Sequence, residues 1–282
     1  MELRKPTFHA PRVIGIVLAT AAAAYVAVCV VVYFAQSRLV WYPGPPPETT
    51  PRESGLAFEE WRLATVDGAL VNAWRIRAQD SRGAIVFCHG NAGNMASRID
   101  KAAALAAGGF DVVLFDYRGY GASTGRLSEE GTYLDAETVW SKLVEVGFAP
   151  EHIVVFGESL GGAVAIELAR RRRVGALVVE DTFTSLADMA ARVYPWLPVR
   201  LILRIEYASK AKVGELAVPC LVIHSRDDEL VPFAQGRALF EAAREPKIFL
   251  ETTGPHNGAG FTARAEWRAT VNDFLGAHAA RK

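Results

Sequence analysis

Three patterns of apolar and polar residues follow one another along the chain. From Val13 to Ala35, 23 consecutive residues are apolar apart from Gly15 and Thr20, and no charge lies between Arg12 and Arg38. A helix of that length reaches about 34 Å at 1.5 Å per residue, enough to cross a hydrocarbon core. No face of it is polar, so it does not read as an amphipathic helix of a soluble core. A cleaved signal peptide would carry an apolar region of only about 7–15 residues before a small-x-small site. Here the run continues past Ala21–Ala24 into Val26–Phe34, which favours an uncleaved transmembrane anchor over residues 1–36. Arg4, Lys5 and Arg12 precede it and Arg38 follows. The basic excess predicts a single pass with the N-terminus in the cytoplasm and residues from about 37 onward on the non-cytoplasmic side. Tyr33, Trp41 and Tyr42 suit the headgroup interface, where a ring can be half wet.

The second pattern is a proline cluster. Pro43, Pro45, Pro46, Pro47 and Pro51 fall within nine residues. That density forbids helix, so residues 37–54 read as a linker, either an extended polyproline spacer or a loop on the edge of the next domain.

From residue 55 the pattern alternates between strand and helix. Expected strands are 57–63, 69–76, 84–88, 111–116, 152–156, 175–180, 219–224 and 247–251. The inner ones are continuous apolar runs rich in β-branched residues, as central parallel strands covered on both faces require. Expected helices are 95–107, 130–146, 160–172, 233–244 and 262–279. Asp67-Gly68 reads as a turn between the first two strands. An antiparallel hairpin followed by βα repeats implies an α/β fold: a mostly parallel, eight-stranded mixed sheet with helices on both faces. Residues 183–218 break the rhythm with Pro195, Pro198 and the apolar-basic stretch VRLILRIEY, and are expected to form a small cap over the C-terminal edge of the sheet. The chain thus divides into an anchor, a linker and one domain over 55–282.

Composition narrows the partners. Apolar residues make up 51% and charged residues 22%, which excludes disordered and low-complexity classes. Lys plus Arg equals Asp plus Glu at 31 each, and this zero balance argues against nucleic acid. Cys29, Cys88 and Cys220 are too few for a disulfide scaffold. Oligomeric state is not readable.

The strongest local chemical signal is Gly157-Glu158-Ser159-Leu160-Gly161, which follows a strand and opens a helix. That is the setting of a nucleophile elbow, where glycines two residues either side of a serine relieve crowding in a sharp turn. A serine needs a base. Among six histidines, only His256 follows Ser159 and lies in a polar, Gly-rich loop after the last strand. The acid that orients it is expected after an intervening strand, where Asp227, Asp228 and Glu229 stand side by side. An oxyanion would be held by the backbone N–H groups of Leu160, next to the serine, and of Asn91, after the buried strand ending in Cys88. No phosphate loop or metal-ligand spacing is present, and no cofactor is implied.

Six motifs in order, HGNAGN (89–94), DYRGYGASTG (116–125), GESLGG (157–162), EDTFTSL (180–186), HSRDDELVP (224–232) and GPHNG (254–258), resemble the α/β-hydrolase superfamily. The closer likeness is to its membrane-anchored, α/β-hydrolase-domain branch, often grouped with serine aminopeptidase-like hydrolases. The resemblance implies the α/β-hydrolase fold and places the acid at Asp228, through the family pattern H-G-x-x-D-x-x-V-P. It also implies that Tyr117, Arg118 and Tyr120 form a structural turn beside the site. This chain departs from the pattern at Ser225 and at Pro255, where glycines are usual. The expectation is a membrane-anchored serine hydrolase with Ser159, Asp228 and His256 as triad. It would cleave ester, thioester or amide bonds of a small-molecule or acylated, lipidic substrate, with residues 13–35 in the bilayer. A serine peptidase on the same fold and a catalytically silent, membrane-tethered binding module are the alternatives.

Overall fold

The β-branched runs assemble into one twisted sheet in the computed structural model, which describes residues 10–256, 258 and 264–280. After a long helix α1 (Ala10–Val40) and a two-residue strand β1 (Tyr42–Pro43), the hairpin β2 (Phe58–Ala64) and β3 (Leu70–Ile76) opens the domain. Then follow β4 (Ala84–Cys88), a short β5 (Ala92–Gly93), α2 (Ile99–Ala107), β6 (Asp111–Phe115) and α3 (Glu129–Glu145). Next come β7 (Ile153–Glu158), α4 (Leu160–Arg171) and β8 (Ala176–Glu180), then the cap helices α5 (Leu186–Val193) and α6 (Val199–Ile202), and α7 (Ser209–Val213). The chain closes with β9 (Cys220–Ser225), α8 (Phe233–Ala242), β10 (Lys247–Thr252) and α9 (Ala265–His278).

The eight-stranded sheet has the order β10-β9-β8-β7-β4-β6-β3-β2. Only the β2–β3 and β3–β6 pairings are antiparallel. All eight expected strands are present, shifted by a residue or two at their ends. Their alternating side chains feed two cores. Val86 and Cys88 pack toward α3 and α4, whereas Ile85 and Phe87 pack toward α2 and α9. Both faces of the central strands are therefore buried, which is why their sequences are apolar at every position. The helix expected at 262–279 is α9; residues 262 and 263 lie outside the described residues, as do Arg4, Lys5 and Asn257.

Two segments depart from a bare strand–helix alternation. In the 183–218 region α5 and α6 form the cap, while α7 packs on α4 and α8 and its Val213 joins the main core. The proline-rich segment is held down on the domain. Tyr42 and Pro43 pair in parallel with Ala92 and Gly93, and Pro51 is buried. Trp41, expected at a headgroup interface, is only 4% exposed. Its indole donates to the Tyr207 hydroxyl at 3.2 Å. A ring with one polar atom is satisfied as well by a buried partner as by an interface.

Helix α1 is apolar throughout, with a mean hydropathy of 2.5 in its most apolar window. Its last turns nevertheless carry a stripe. Cys29, Val32 and Ala35 are half-buried and Gln36 and Val40 buried, against exposed Val30, Val31 and Phe34. This helical spacing marks the side that meets the cap.

Candidate active site

The serine is delivered by the junction of β7 and α4. Ser159 sits at φ 55°, ψ −120°, a left-handed conformation unusual for a residue with a side chain. The turn is affordable because its flanks are glycine. A Cβ on Gly157 would overlap the Gly161 carbonyl, and one on Gly161 would overlap the Cys88 carbonyl of β4. The Ser159 N–H is anchored on the Glu180 carbonyl at 2.9 Å. The strain thus holds the hydroxyl at the head of α4, where the helix dipole favours negative charge.

His256 reaches it from the loop after β10. Its Nε2 lies 3.0 Å from Ser159 Oγ and its Nδ1 2.7 Å from Asp228 Oδ2. The three neighbouring carboxylates have separate duties. Asp228 faces the ring, and its other oxygen accepts the N–H groups of Leu230 and Val231 at 2.9 and 2.8 Å. Asp227 accepts the Gly254 N–H, and Glu229 accepts the His256 N–H, each at 3.0 Å. Two carboxylates therefore hold the backbone of the histidine loop and one holds its ring. Ser225, which replaces the family's usual glycine, adds a hydroxyl that donates to the Gly254 carbonyl at 2.5 Å. Gly254 precedes Pro255 at φ 115°, a conformation open to glycine and strained for other residues.

Burial opposes a charge on His256, but the hydrogen bond and negative charge of Asp228 outweigh it and raise the imidazole pKa above its ordinary value. Asp181 and His224 lie close by. Their polar atoms and those of Asp228 fall within 4.8 Å of one another. Among the described residues this is the one grouping that could face a cation. Part of it already serves other partners: Asp181 Oδ1 accepts the Ser225 N–H, and His224 Nε2 meets the Val231 carbonyl, whereas Asp181 Oδ2 and His224 Nδ1 are buried without a hydrogen-bond partner. Burial pushes Asp181 up to about 6.

Asn91 stands on the loop after β4, and this loop is tied from both sides. Tyr117 and Tyr120 donate their hydroxyls to the carbonyls of His89 and Asn91 at 2.9 and 2.7 Å. His89 Nδ1 meets the Gly90 carbonyl at 2.7 Å. Because the peptide is planar, fixing that carbonyl also fixes the direction of the Asn91 N–H. From the other side the Tyr42 N–H donates to Asn91 O at 2.9 Å, and the Asn91 side chain donates to Val40 O at 3.0 Å. The chain just after α1 is thus part of the scaffold of this loop, which no local pattern in the sequence indicated.

A buried ion cluster beneath the serine also escaped sequence reading. Lys101 of α2 bonds Glu158 at 3.2 Å and Glu180 at 2.9 Å, and Arg98 bonds Glu158 at 2.5 Å. Burial disfavours charge on all three buried members. For Glu158 the two cations prevail and its pKa falls below the ordinary range; for Glu180 burial and the neighbouring charges of Glu158 and Asp181 outweigh Lys101 and leave it raised to about 7. The available signal was two adjacent strands that both end in glutamate, a pairing that calls for a cation.

Ser159, Leu160, Asn91 and His256 share one cavity of about 450 Å³. Its remaining lining is mostly apolar, supplied by α5, α6, the loop at Leu230–Val231, and the end of α1. Such a site has a polar, reactive end and a greasy body.

Comparison with known proteins places the fold. Residues 83–204 match the family model described as alpha/beta hydrolase fold. The alpha/beta hydrolase domain-containing protein WAV2 of Arabidopsis thaliana is 31% identical over 275 residues, 88% of this chain and 89% of that protein. The lysophosphatidylserine lipase ABHD12 of Danio rerio is 33% identical over 208 residues, 66% of this chain and 53% of that protein. Among solved structures, the Pyrococcus furiosus esterase Pf2001 superposes with a TM-score of 0.72 at 21% identity, covering 86% of this chain and 100% of that one. At that identity the likeness is one of fold. A relative matched along nearly its whole length, together with the sheet order and elbow described above, puts this chain in the α/β-hydrolase-domain family.

Proposed function

We propose that the protein is a membrane-anchored serine hydrolase that cleaves acyl esters or thioesters of lipidic substrates. The observation that carries this reading is the unbroken line Ser159 Oγ, His256, Asp228 at the mouth of an apolar cavity. Ser159 Oγ attacks the acyl carbonyl carbon while its proton passes to His256 Nε2. Asp228 keeps the ring's other proton on Nδ1 and stabilises the imidazolium. The oxyanion accepts hydrogen bonds from the N–H groups of Asn91 and Leu160. The intermediate collapses to an acyl-enzyme as the leaving alcohol or thiol takes the proton from His256. Water then repeats the sequence and releases the acid.

Lipidic substrates are supported by the apolar body of the cavity and by the name of the zebrafish relative, a lysophosphatidylserine lipase. Helix α1 acts as the anchor, and the basic residues ahead of it favour an N-in orientation with the catalytic domain on the non-cytoplasmic side.

Labelling of the full-length protein with a fluorophosphonate tests the chemistry. Wild type is expected to be labelled and Ser159→Ala not; equal labelling of the two would overturn the mechanism and return the protein to a silent binding module. Protease treatment of sealed cells tests topology: a catalytic domain protected inside would refute the N-in reading.

A further inference from the structure

We propose that the last turns of α1 are the bilayer-side wall of the acyl-chain site, and that the substrate is a lipid whose chain reaches Ser159 from within the membrane, between α1 and the cap. The inference rests on the reading of Ser159 as a hydrolase nucleophile and extends it to substrate class and route.

The cavity runs from Ser159 and His256 to a wall in which Val32 and Leu39 of α1 face Met189 and Val193 of α5 and Ile202 of α6. Val32 belongs to the uninterrupted apolar run, so this end of the cavity lies at the depth of the hydrocarbon. The cap follows α1 into that zone. Tyr25, eleven residues before Gln36 and so about 16 Å deeper along the helix, donates its hydroxyl to the Trp196 carbonyl at 2.8 Å. Gln36 donates to the Ile202 carbonyl at 3.4 Å and accepts the Arg204 N–H at 2.7 Å.

These contacts have a common character. Each satisfies a backbone group of the cap with a side chain of α1. In water such groups need no protein partner; in hydrocarbon they do. The cap also turns apolar side chains outward, with Val193 59%, Trp196 57% and Leu201 86% exposed. Beside them stand exposed Arg192 and Arg200, of which Arg200 is paired to Asp188 at 2.8 Å; their long stems let a charged head reach the headgroup level. An apolar patch beside an apolar helix is matched to lipid rather than to water. The slot between α1 and the cap therefore opens on the membrane interior, and an acyl chain can enter it without crossing water.

The test uses the full-length protein in phosphatidylcholine vesicles and a long-chain alkyl fluorophosphonate carrying a diazirine at the chain end. Irradiation after reaction at Ser159 is expected to cross-link the chain end to the Cys29–Val40 stretch of α1. A probe attached to Ser159 that cross-links only to other segments would overturn this inference and leave the hydrolase reading standing. A Ser159 that never reacts would overturn the hydrolase reading, and this inference with it. Substitutions give a second measurement. Val32→Trp is expected to lower the ratio of kcat/KM for a hexadecanoyl over a butanoyl ester by about tenfold or more. Val31→Trp, about 100° round the helix from Val32 and on an exposed face of α1, is expected to keep the wild-type ratio. Where Val32→Trp does not fold, Val32→Ala is expected to shift preference toward longer chains. An unchanged chain-length profile in the Val32 variants would count against the wall.

Discussion

The two sides of the cavity are built on different principles. The side made by the sheet edge carries Ser159, His256 and Asn91, and each is held by more than one directional hydrogen bond. The side made by α1, α5 and α6 is apolar and carries few polar pins, chiefly Tyr25 and Gln36. The difference matches what the proposed reaction asks of each side. Proton transfer and attack require positioning to about 0.5 Å, which only directional bonds supply. A flexible acyl chain requires a shaped, water-poor surface, which non-directional packing supplies. The contrast is open to attack from both sides.

The largest effect is expected at the serine. Ser159→Ala should lower kcat on an acyl ester by about 10⁶-fold, read by steady-state kinetics with the enzyme concentration fixed by absorbance. Next, Asp228→Asn should cost about 10⁴-fold because the ring loses its correct tautomer. Asp227→Asn keeps one acceptor oxygen but weakens a charge-assisted backbone hydrogen bond by about 1 kcal/mol at most and should cost under about tenfold. Equal losses would show that the carboxylates do not divide their duties as described.

Lys101→Met should destabilise the fold by about 3–5 kcal/mol, since it strips Glu158 and Glu180 of a buried cation. Calorimetry should show the Tm falling by roughly 10 °C. Glu180 is already raised to about 7 in the native protein. A raised carboxyl binds protons more readily folded than unfolded, so the deficit of this variant should shrink as pH is lowered. A deficit independent of pH would show that the cluster contributes packing and not charge.

The pH profile sharpens the same point at smaller scale. In the proposed mechanism His256 must be neutral to accept the serine proton, and Asp228 raises its pKa. Activity should therefore fall with decreasing pH at a midpoint above the ordinary histidine value of about 6.5. In Asp228→Asn the midpoint should move down. The smallest effect is expected at the lipid side: Gln36→Leu leaves two backbone groups of the cap unsatisfied and should cost about 1–3 kcal/mol in detergent. A larger loss there than at Lys101 would invert the comparison.

The parts legible in the sequence were those with local signatures. Strand and helix positions followed from periodicity, the serine from glycine spacing within a strand–turn–helix, and the histidine from chain order and loop character. Three adjacent carboxylates could not be separated by spacing, because spacing does not say which of three neighbours turns toward a ring 28 residues further on. Family likeness pointed to Asp228, and the geometry shows the bond. Trp41 read as an interface aromatic because its partner, Tyr207, is 166 residues away. Lys101 was invisible for the same reason: its acceptors end strands 57 and 79 residues later.

What the sequence alone determined is therefore the apolar helix, the alternating fold and the positions of the serine and histidine proposed as nucleophile and base. These depend on short-range sterics and on the period at which apolar residues recur. The tertiary structure decided which carboxylate meets the histidine, what supports the Asn91 loop, and that the end of α1 closes the cavity of Ser159. Those are contacts between distant segments, formed only once burial of the sheet has brought them together.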